Sequence, residues 1–532
     1  LKQITAFAWV LVWASWGLQA QQIDIDVHRL PVDVPLNYLF SGCLHYGPSG
    51  YYLLYEDYGA QTGAYLADLK PEGSVKRGGL VLEKRDTLSN LLFRKTFIRD
   101  EPGFRTLAVR YFQGYIVWYY EKMDIQSGKT VFYLTMIDPN GQITSEIAIG
   151  QMPGGSNIRF QQILSAVSAD SSKYMVLTTY TDSTRLVNGK PDGRGFLMVI
   201  DENRWLLKKE VVNIEANTDR GSGLKAMVTG SGDVYLLAHE EEPEGKQTLR
   251  GYRFPLKAAP TTFPVLPEAT NFQAAELLET ANHHLVCAAI GSKGETAQQT
   301  AFVAVLDANG GLLKVNALDI NTDSVLQAVR EKRPLAPYHS ACMASTVFYL
   351  PLDNGAAAFV WETNNTNVQQ RNTATHAVDL SKVYFGDVYV AFVRPDGLMD
   401  TVMILPKHQM PSQTVQGLSC FAMPYHRQVL LFYNTLTKQQ PGAPDAAGTA
   451  YFSAYDTEMV TMTTVDRYET MRHTVISDIN LKNTAFLPSR CLSLQQGRFY
   501  MVAYTKRTDN KTNPLEGLLE PVLMRNGTVT LH

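Results

Sequence analysis

Four carboxylates in this chain recur in one kind of place. Glu56, Glu121, Glu240 and Glu362 each follow an aromatic residue or a histidine at the end of an apolar run, namely Tyr55, Tyr120, His239 and Trp361. The same step without the acid recurs at Tyr180–Thr181, Tyr433–Asn434 and Tyr504–Thr505, and only Ile290–Gly291 breaks it. An acid beside an aromatic ring can hold a sugar by stacking and hydrogen bonding, or a basic peptide by charge. Two acids at a suitable separation can also cleave a glycosidic bond. The competing reading is structural. A repeat reproduces its side chains whether or not they bind anything, so the aromatics could pack inside the fold while the acids face water.

Other chemistry is absent from the sequence. There is no HExxH, GxSxG or CxxC, the spacings that would place a metal ligand set, a nucleophile or a redox pair. "GSGLKA" at Gly221 imitates a dinucleotide fingerprint without the helix that would cradle a pyrophosphate. "SGKT" at Ser127 imitates the end of a P-loop, but Met123 stands where the leading glycine belongs. "HEEE" at His239 reads as the polar end of a strand. His283 and His284 read as the start of one, with side chains on opposite faces that cannot share an ion. No catalytic residue, metal or cofactor is assigned. Net charge is −3 and charged residues make up 19%, so no basic surplus points to nucleic acid.

The elements that must position these residues repeat. Eight apolar runs, beginning at Tyr51, Tyr115, Tyr174, Val234, His284, Ala356, Gln428 and Phe499, are spaced about 50 to 75 residues apart. Each is preceded by another apolar segment across a short turn. Each is followed by a further one that mostly ends in Asp, Asn or Gly, such as "VFYLTMIDPNG" and "AFVAVLDANG", which is hairpin chemistry. For blade 1 this third segment is "AYLADLKPEG" and for blade 7 "AYFSAYDTE". A fourth short strand follows most of them. The unit is a four-stranded antiparallel meander. Eight tandem meanders with almost no helical periodicity predict an all-β fold, a β-propeller of eight four-stranded blades, with seven as the alternative count. The blades fall at about 36–90, 100–150, 160–215, 221–268, 271–320, 338–408, 415–470 and 483–532. Residues 21–532 then form one propeller domain. The segment before residue 36 is expected to add a strand that closes blade 8, with a loose lead-in as the alternative.

A small residue precedes seven of the runs: Cys43, Ala108, Ala166, Ala226, Ala275, Cys420 and Cys491. The expectation is one fixed small position on the inner strands, where backbones crowd, with cysteine standing in for alanine; a disulfide between the inner strands of blades 8 and 1 or 7 and 8 is the alternative. Cys342 sits in a similar but displaced context, which predicts an insertion or bulge in blade 6. The odd count of five cysteines argues against a zinc ribbon.

The first 20 residues carry Lys2, an apolar run from Ile4 to about Trp16 and Ala20 before Gln21. They read as a secretory signal peptide, with an N-terminal membrane anchor as the alternative, and no later stretch is apolar enough to span a bilayer. With its "LQAQQ" junction and its whole-chain repeat, the sequence resembles the exported β-propellers common in Bacteroidota. It lacks the WD dipeptide, the kelch double glycine and the sialidase Asp box. The resemblance implies export to the periplasm or cell surface, and it assigns no site residue. The expected function is a non-enzymatic binding or scaffold propeller that engages a protein or glycan through its loop face. The tentative ligand contacts are Tyr55, Glu56, Tyr120, Glu121, His239, Glu240, Trp361, Glu362, Tyr433 and Tyr504. The alternatives are a polysaccharide lyase or glycoside hydrolase using loop carboxylates, and a structural subunit of an envelope assembly.

Overall fold

The computed structural model describes residues 23–24, 27–31, 38–47, 49–57, 78–88, 90–99, 104–124, 126–152, 158–187, 190–214, 225–241, 247–266, 269–280, 283–293, 299–319, 343–365, 384–405, 410–411, 419–435, 451–452, 459–466, 471–476, 484–486, 492–493, 499–505, 520–526 and 530–531.

The regular structure in these residues is β apart from one 3-10 turn at Asp353–Gly355. The first seven blades are four-stranded antiparallel meanders in chain order. Their strands are Tyr38–Gly47, Gly50–Asp57, Gly78–Arg85 and Leu91–Arg99 in blade 1; Arg105–Phe112, Tyr115–Asp124, Lys129–Ile137 and Ile143–Met152 in blade 2; Ile158–Val167, Lys173–Val187, Lys190–Asp201 and Leu206–Asn213 in blade 3. Blade 4 has Lys225–Val228, Val234–Glu241, Gln247–Phe254 and Thr261–Pro264, and blade 5 has Ala269–Glu279, Leu285–Lys293, Gln299–Leu306 and Leu312–Asp319. Blade 6 has Met343–Pro351, Ala357–Asn365, Tyr384–Val393 and Met399–Leu405, and blade 7 has Phe421–Tyr425, Gln428–Thr435, Met459–Asp466 and Met471–Ile476.

The eighth blade is composite. Thr484–Phe486 and Leu492–Ser493 pair with Phe499–Thr505, which pairs with Glu520–Asn526. Its outer strand is Val27–Pro31 from the other end of the chain, in register from Val27↔Asn526 to Pro31↔Val522. The expected closing strand is present, and it joins the two ends of the described chain into a ring. The fold is an eight-bladed β-propeller.

Two segment assignments change. In blade 1 the third strand is Gly78–Arg85 and the blade extends to Arg99, while "AYLADLKPEG" lies outside the described residues. In blade 7 the third strand is Met459–Asp466, and Tyr451–Phe452 pairs in parallel with Met410–Pro411 instead. In both blades two segments carry strand-forming residues, and only the pairing decides which one joins the sheet.

Burial follows the pleat. In blades 1 to 6 alternate residues of the second and third strands face the blade on either side, whereas the fourth strands of blades 1, 2, 3 and 5 are largely exposed. Tyr52, Leu54, Leu80 and Leu82 of blade 1 pack with Val109, Ile116 and Trp118 of blade 2. The same arrangement of shared apolar clusters repeats between blades 2 and 3, 3 and 4, 4 and 5, 5 and 6, and 6 and 7. At about 25 cal/mol per Å² of apolar area, these walls hold the ring.

The hairpins between third and fourth strands show the expected Asx chemistry. The Asp138 carboxylate accepts the amides of Asn140 and Gln142 at 2.9 and 2.7 Å. Asp86, Asp201 and Asp307 cap their own turns in the same way. Gly310 needs its missing side chain. Its φ is +85°, and an added Cβ would lie 2.4 Å from the Phe263 ring of blade 4.

The expected single small position does not exist as one register. Cys43 faces Leu53, Ala108 faces Tyr119, Ala166 faces Met175 and Ala275 faces Ala289, at different distances from the second-strand ends. Bulges cause the drift. They interrupt the first-to-second-strand pairing in blades 1, 2, 3, 5 and 6, so the one between Ala344 and Thr346 in blade 6 is a shared feature. Cys287 and Cys420 are buried, Cys43 is partly so, and these three are free thiols. Cys342 and Cys491 lie outside the described residues. His283 lies in a turn at φ +60°, ahead of the strand that starts at Leu285, so the His pair does not begin a strand.

Candidate functional site

In an antiparallel meander the connection from second to third strand leaves on the same face as the connection to the next blade. The structure places the aromatic–polar steps at or near the end of the second strand, except Tyr180–Thr181, which lies midway along Lys173–Val187. What the side chains do there differs from the expectation.

Tyr55, Tyr120 and Trp361 are wholly buried, and Tyr180 and Tyr433 nearly so. Tyr120 packs against Tyr133 with ring centroids 5.5 Å apart and against Trp118 at 5.0 Å. Trp361 stacks on Tyr389 at 5.2 Å with a 6° interplanar angle. The Tyr55 hydroxyl lies 3.4 Å from a Glu83 carboxylate oxygen. A ring with no exposed face cannot stack on a sugar, so the expected aromatic shoulders do not exist at Tyr55, Tyr120, Trp361 and Tyr433. The physical reason is the pleat: at this position the side chain points at the neighbouring blade, where a large ring fills the wedge.

The acids that can be followed are not open to water either. Glu121 is 9% exposed and pairs with Arg105 Nη2 at 2.7 Å across the first-to-second-strand register. Burial pushes its carboxyl up and the Arg105 guanidinium pulls it back, leaving it above the ordinary 4.5. Glu362 is fully buried and accepts the Ser419 hydroxyl of blade 7. The polar partner in blade 7, Asn434, is also buried. For the other predicted contacts the backbone alone is described. Glu56 stands opposite Leu39 and Leu80, His239 opposite Leu249, Glu240 opposite Thr248, and Tyr504 opposite Ala485 and Pro521.

The "SGKT" imitation is a tied turn, with Asp124 accepting the Gln126 amide at 3.1 Å and the Ser127 hydroxyl at 2.6 Å. Among the described residues no group of three or more His, Cys, Asp or Glu side chains is placed to hold a metal ion.

The feature that reading residue types missed is one of length. The second-to-third-strand connections of blades 2 to 5 are short: 125–128, 188–189, 242–246 and 294–298. Those of blades 6, 7, 8 and 1 are long: 366–383, 436–458, 506–519 and 58–77. These four blades are consecutive in the ring, and the long 320–342 connection enters the first of them. The unequal spacing of the apolar runs carried this signal.

No protein-family model matches this chain, and no curated protein matches it. Solved structures with partial likeness include the β-propeller domain of the Trilobed protease from Pyrococcus furiosus, at 8% identity and TM-score 0.37, over 85% of this chain and 98% of that one. Prolyl oligopeptidase B from Galerina marginata shares 8% identity at TM-score 0.36; the match covers 88% of this chain but 55% of that one. The GH93 alpha-L-arabinofuranosidase of Fusarium graminearum shares 11% identity at TM-score 0.31, over 70% and 95% of the two chains. Likeness this distant carries no argument about activity here.

Proposed function

We propose that this chain is an exported, non-enzymatic binding or scaffold propeller, and that it engages a protein or glycan on the loop face above blades 6, 7, 8 and 1. The observation that supports this reading most is the clustering of long connections on four consecutive blades. Long connections between strands of a compact domain are where binding residues concentrate, held by a rigid scaffold. The strand-end acids support the same reading from the other side. Glu121 and Glu362 already satisfy Arg105 and Ser419, so they work as fasteners between strands and blades. Export rests on the apolar run from Ile4 to about Trp16.

The test is a glycan and peptide binding screen of the full chain, beside two variants. One replaces 366–383 with an Asn-Gly turn, and the other lengthens the short 188–189 turn by a Gly/Ser insert. Binding that is lost in the first and kept in the second fits the proposal. Binding that survives loss of 366–383 and fails on the insertion places the ligand over blades 2 to 5 and ends it. Release of a cleaved glycan would convert the reading to an enzyme.

A further inference from the structure

The joint between blades 2 and 3 does not close at its outer side. A groove of about 470 Å³ lies there, within the ~300–1,000 Å³ range of ligand sites. One wall is the fourth strand of blade 2, and the other is the third and fourth strands of blade 3. On the blade 3 side, Phe196, Lys209 and Val211 fall on the face that meets blade 2. Phe196 is the floor. Its ring is held between Phe132 at 5.6 Å and Tyr180 at 5.3 Å. It comes so near blade 2 that a Cβ on Gly150 would lie 2.9 Å from it.

The lip of the groove is apolar and open to water, with Ile147 43% and Val211 50% exposed. Its cation is uncompensated. Lys209 is exposed and its Nζ donates across the groove to a neutral acceptor, the Ala148 carbonyl, at 3.3 Å. That carbonyl stands where the blade 2 strand bulges, between Ala148 and Gly150, and a bulge re-aims the chain. The neighbouring charges on the blade 3 strand are spoken for: Lys208 and Glu210 pair at 2.9 Å, and Lys208 also donates to the Pro255 carbonyl of blade 4 at 2.5 Å. Both walls end in edge strands, since Ile143–Met152 and Leu206–Asn213 each pair with a strand on one side only. An open edge offers backbone donors and acceptors to an added extended chain.

We propose that the outer groove of blades 2 and 3 is a second binding site, apart from the loop face, and that it takes an extended acidic peptide segment of a partner protein. An apolar side chain of that segment enters over Phe196 between Ile147 and Val211. A neighbouring carboxylate takes the Lys209 ammonium from the Ala148 carbonyl, because a charged acceptor holds an ammonium more strongly than a neutral one.

The test is a fluorescence-anisotropy titration of the full chain with synthetic octapeptides. Each carries one Leu and one Asp at a spacing of one, two or three residues in a Ser/Thr background, beside Asn and Lys twins of the Asp and an Ala twin of the Leu. The parent should bind at least one Asp peptide about three- to fivefold tighter than its Asn twin. The Ala twin should lose about tenfold. Lys209→Glu should reverse the preference, so that the Lys twin binds tighter, which a side chain that merely ties two blades would not do. Ala148→Phe fills the groove from an exposed position and should abolish binding while hydrogen exchange in Lys129–Ile137 stays parental; if it does not fold, Lys209→Glu decides. Replacing 366–383 should change nothing, which separates this site from the loop face. Binding of no peptide in the set, equal binding of Asp and Asn twins, or an unchanged preference in Lys209→Glu overturns the site. Loss of binding with 366–383 gives the peptide to the loop face and overturns it too. A dimer of the parent that Ala148→Phe abolishes would give the groove to a second copy instead.

Discussion

Glu362→Ala tests the reassignment of a strand-end acid from ligand contact to fastener. The carboxylate is fully buried and accepts the Ser419 hydroxyl across the joint of blades 6 and 7. A hydrogen bond to a charged group contributes about 1.5–3 kcal/mol, and the half-buried Ser419 hydroxyl deprived of its acceptor costs up to a further ~1 kcal/mol. The expected loss is about 2–4 kcal/mol, felt first at this joint. Ser419→Ala removes the same contact from the other side. If one bond is shared, the double variant should fall short of the summed losses by about 1.5–3 kcal/mol. Hydrogen exchange on Ala357–Asn365 and Phe421–Tyr425 is the right assay, because a ring of repeats need not unfold in two states. Additive losses, with coupling under about 0.5 kcal/mol, would refute the fastener. So would parental exchange in Glu362→Ala.

Three more outcomes are expected. The Glu121 carboxyl is held above its ordinary 4.5 by burial, so its contribution to stability is full below that pH and fades as pH rises through the folded value; Glu121→Gln should flatten that part of a stability–pH profile, and an unchanged slope would contradict it. Trp361→Ala should cost about 3–5 kcal/mol, as for a buried aromatic, while Trp361→Phe leaves ligand affinity within about twofold; a large affinity loss with intact stability would restore the stacking role. Burial pushes the Cys287 thiol well above its ordinary value, and Cys420 is equally enclosed; site-resolved alkylation should mark both only on unfolding, and rapid labelling of the native ring would show these walls to be open.

The architecture was legible because it rests on period-two runs and on turn residues whose chemistry is local. Asp138, Asp201 and Asp307 cap the hairpins that their sequences announce. Register was less legible. A bulge between Thr106 and Ala108, or between Thr270 and Ala274, shifts the pairing without any residue type that marks it, and so the small residues fell out of line. The walls were not legible at strand ends. Tyr120 and Trp361 read equally well as exposed shoulders or as wedges, because which neighbour a side chain meets is set by blade stacking.

The most direct test of the binding face is a hydrogen-exchange footprint of the full chain with a ligand found in the screen. Protection is expected in 58–77, 366–383, 436–458 and 506–519, with 125–128 and 188–189 unaffected. Protection on the opposite face instead, at the Asp-capped turns 86–90, 138–142 and 201–205, would contradict it.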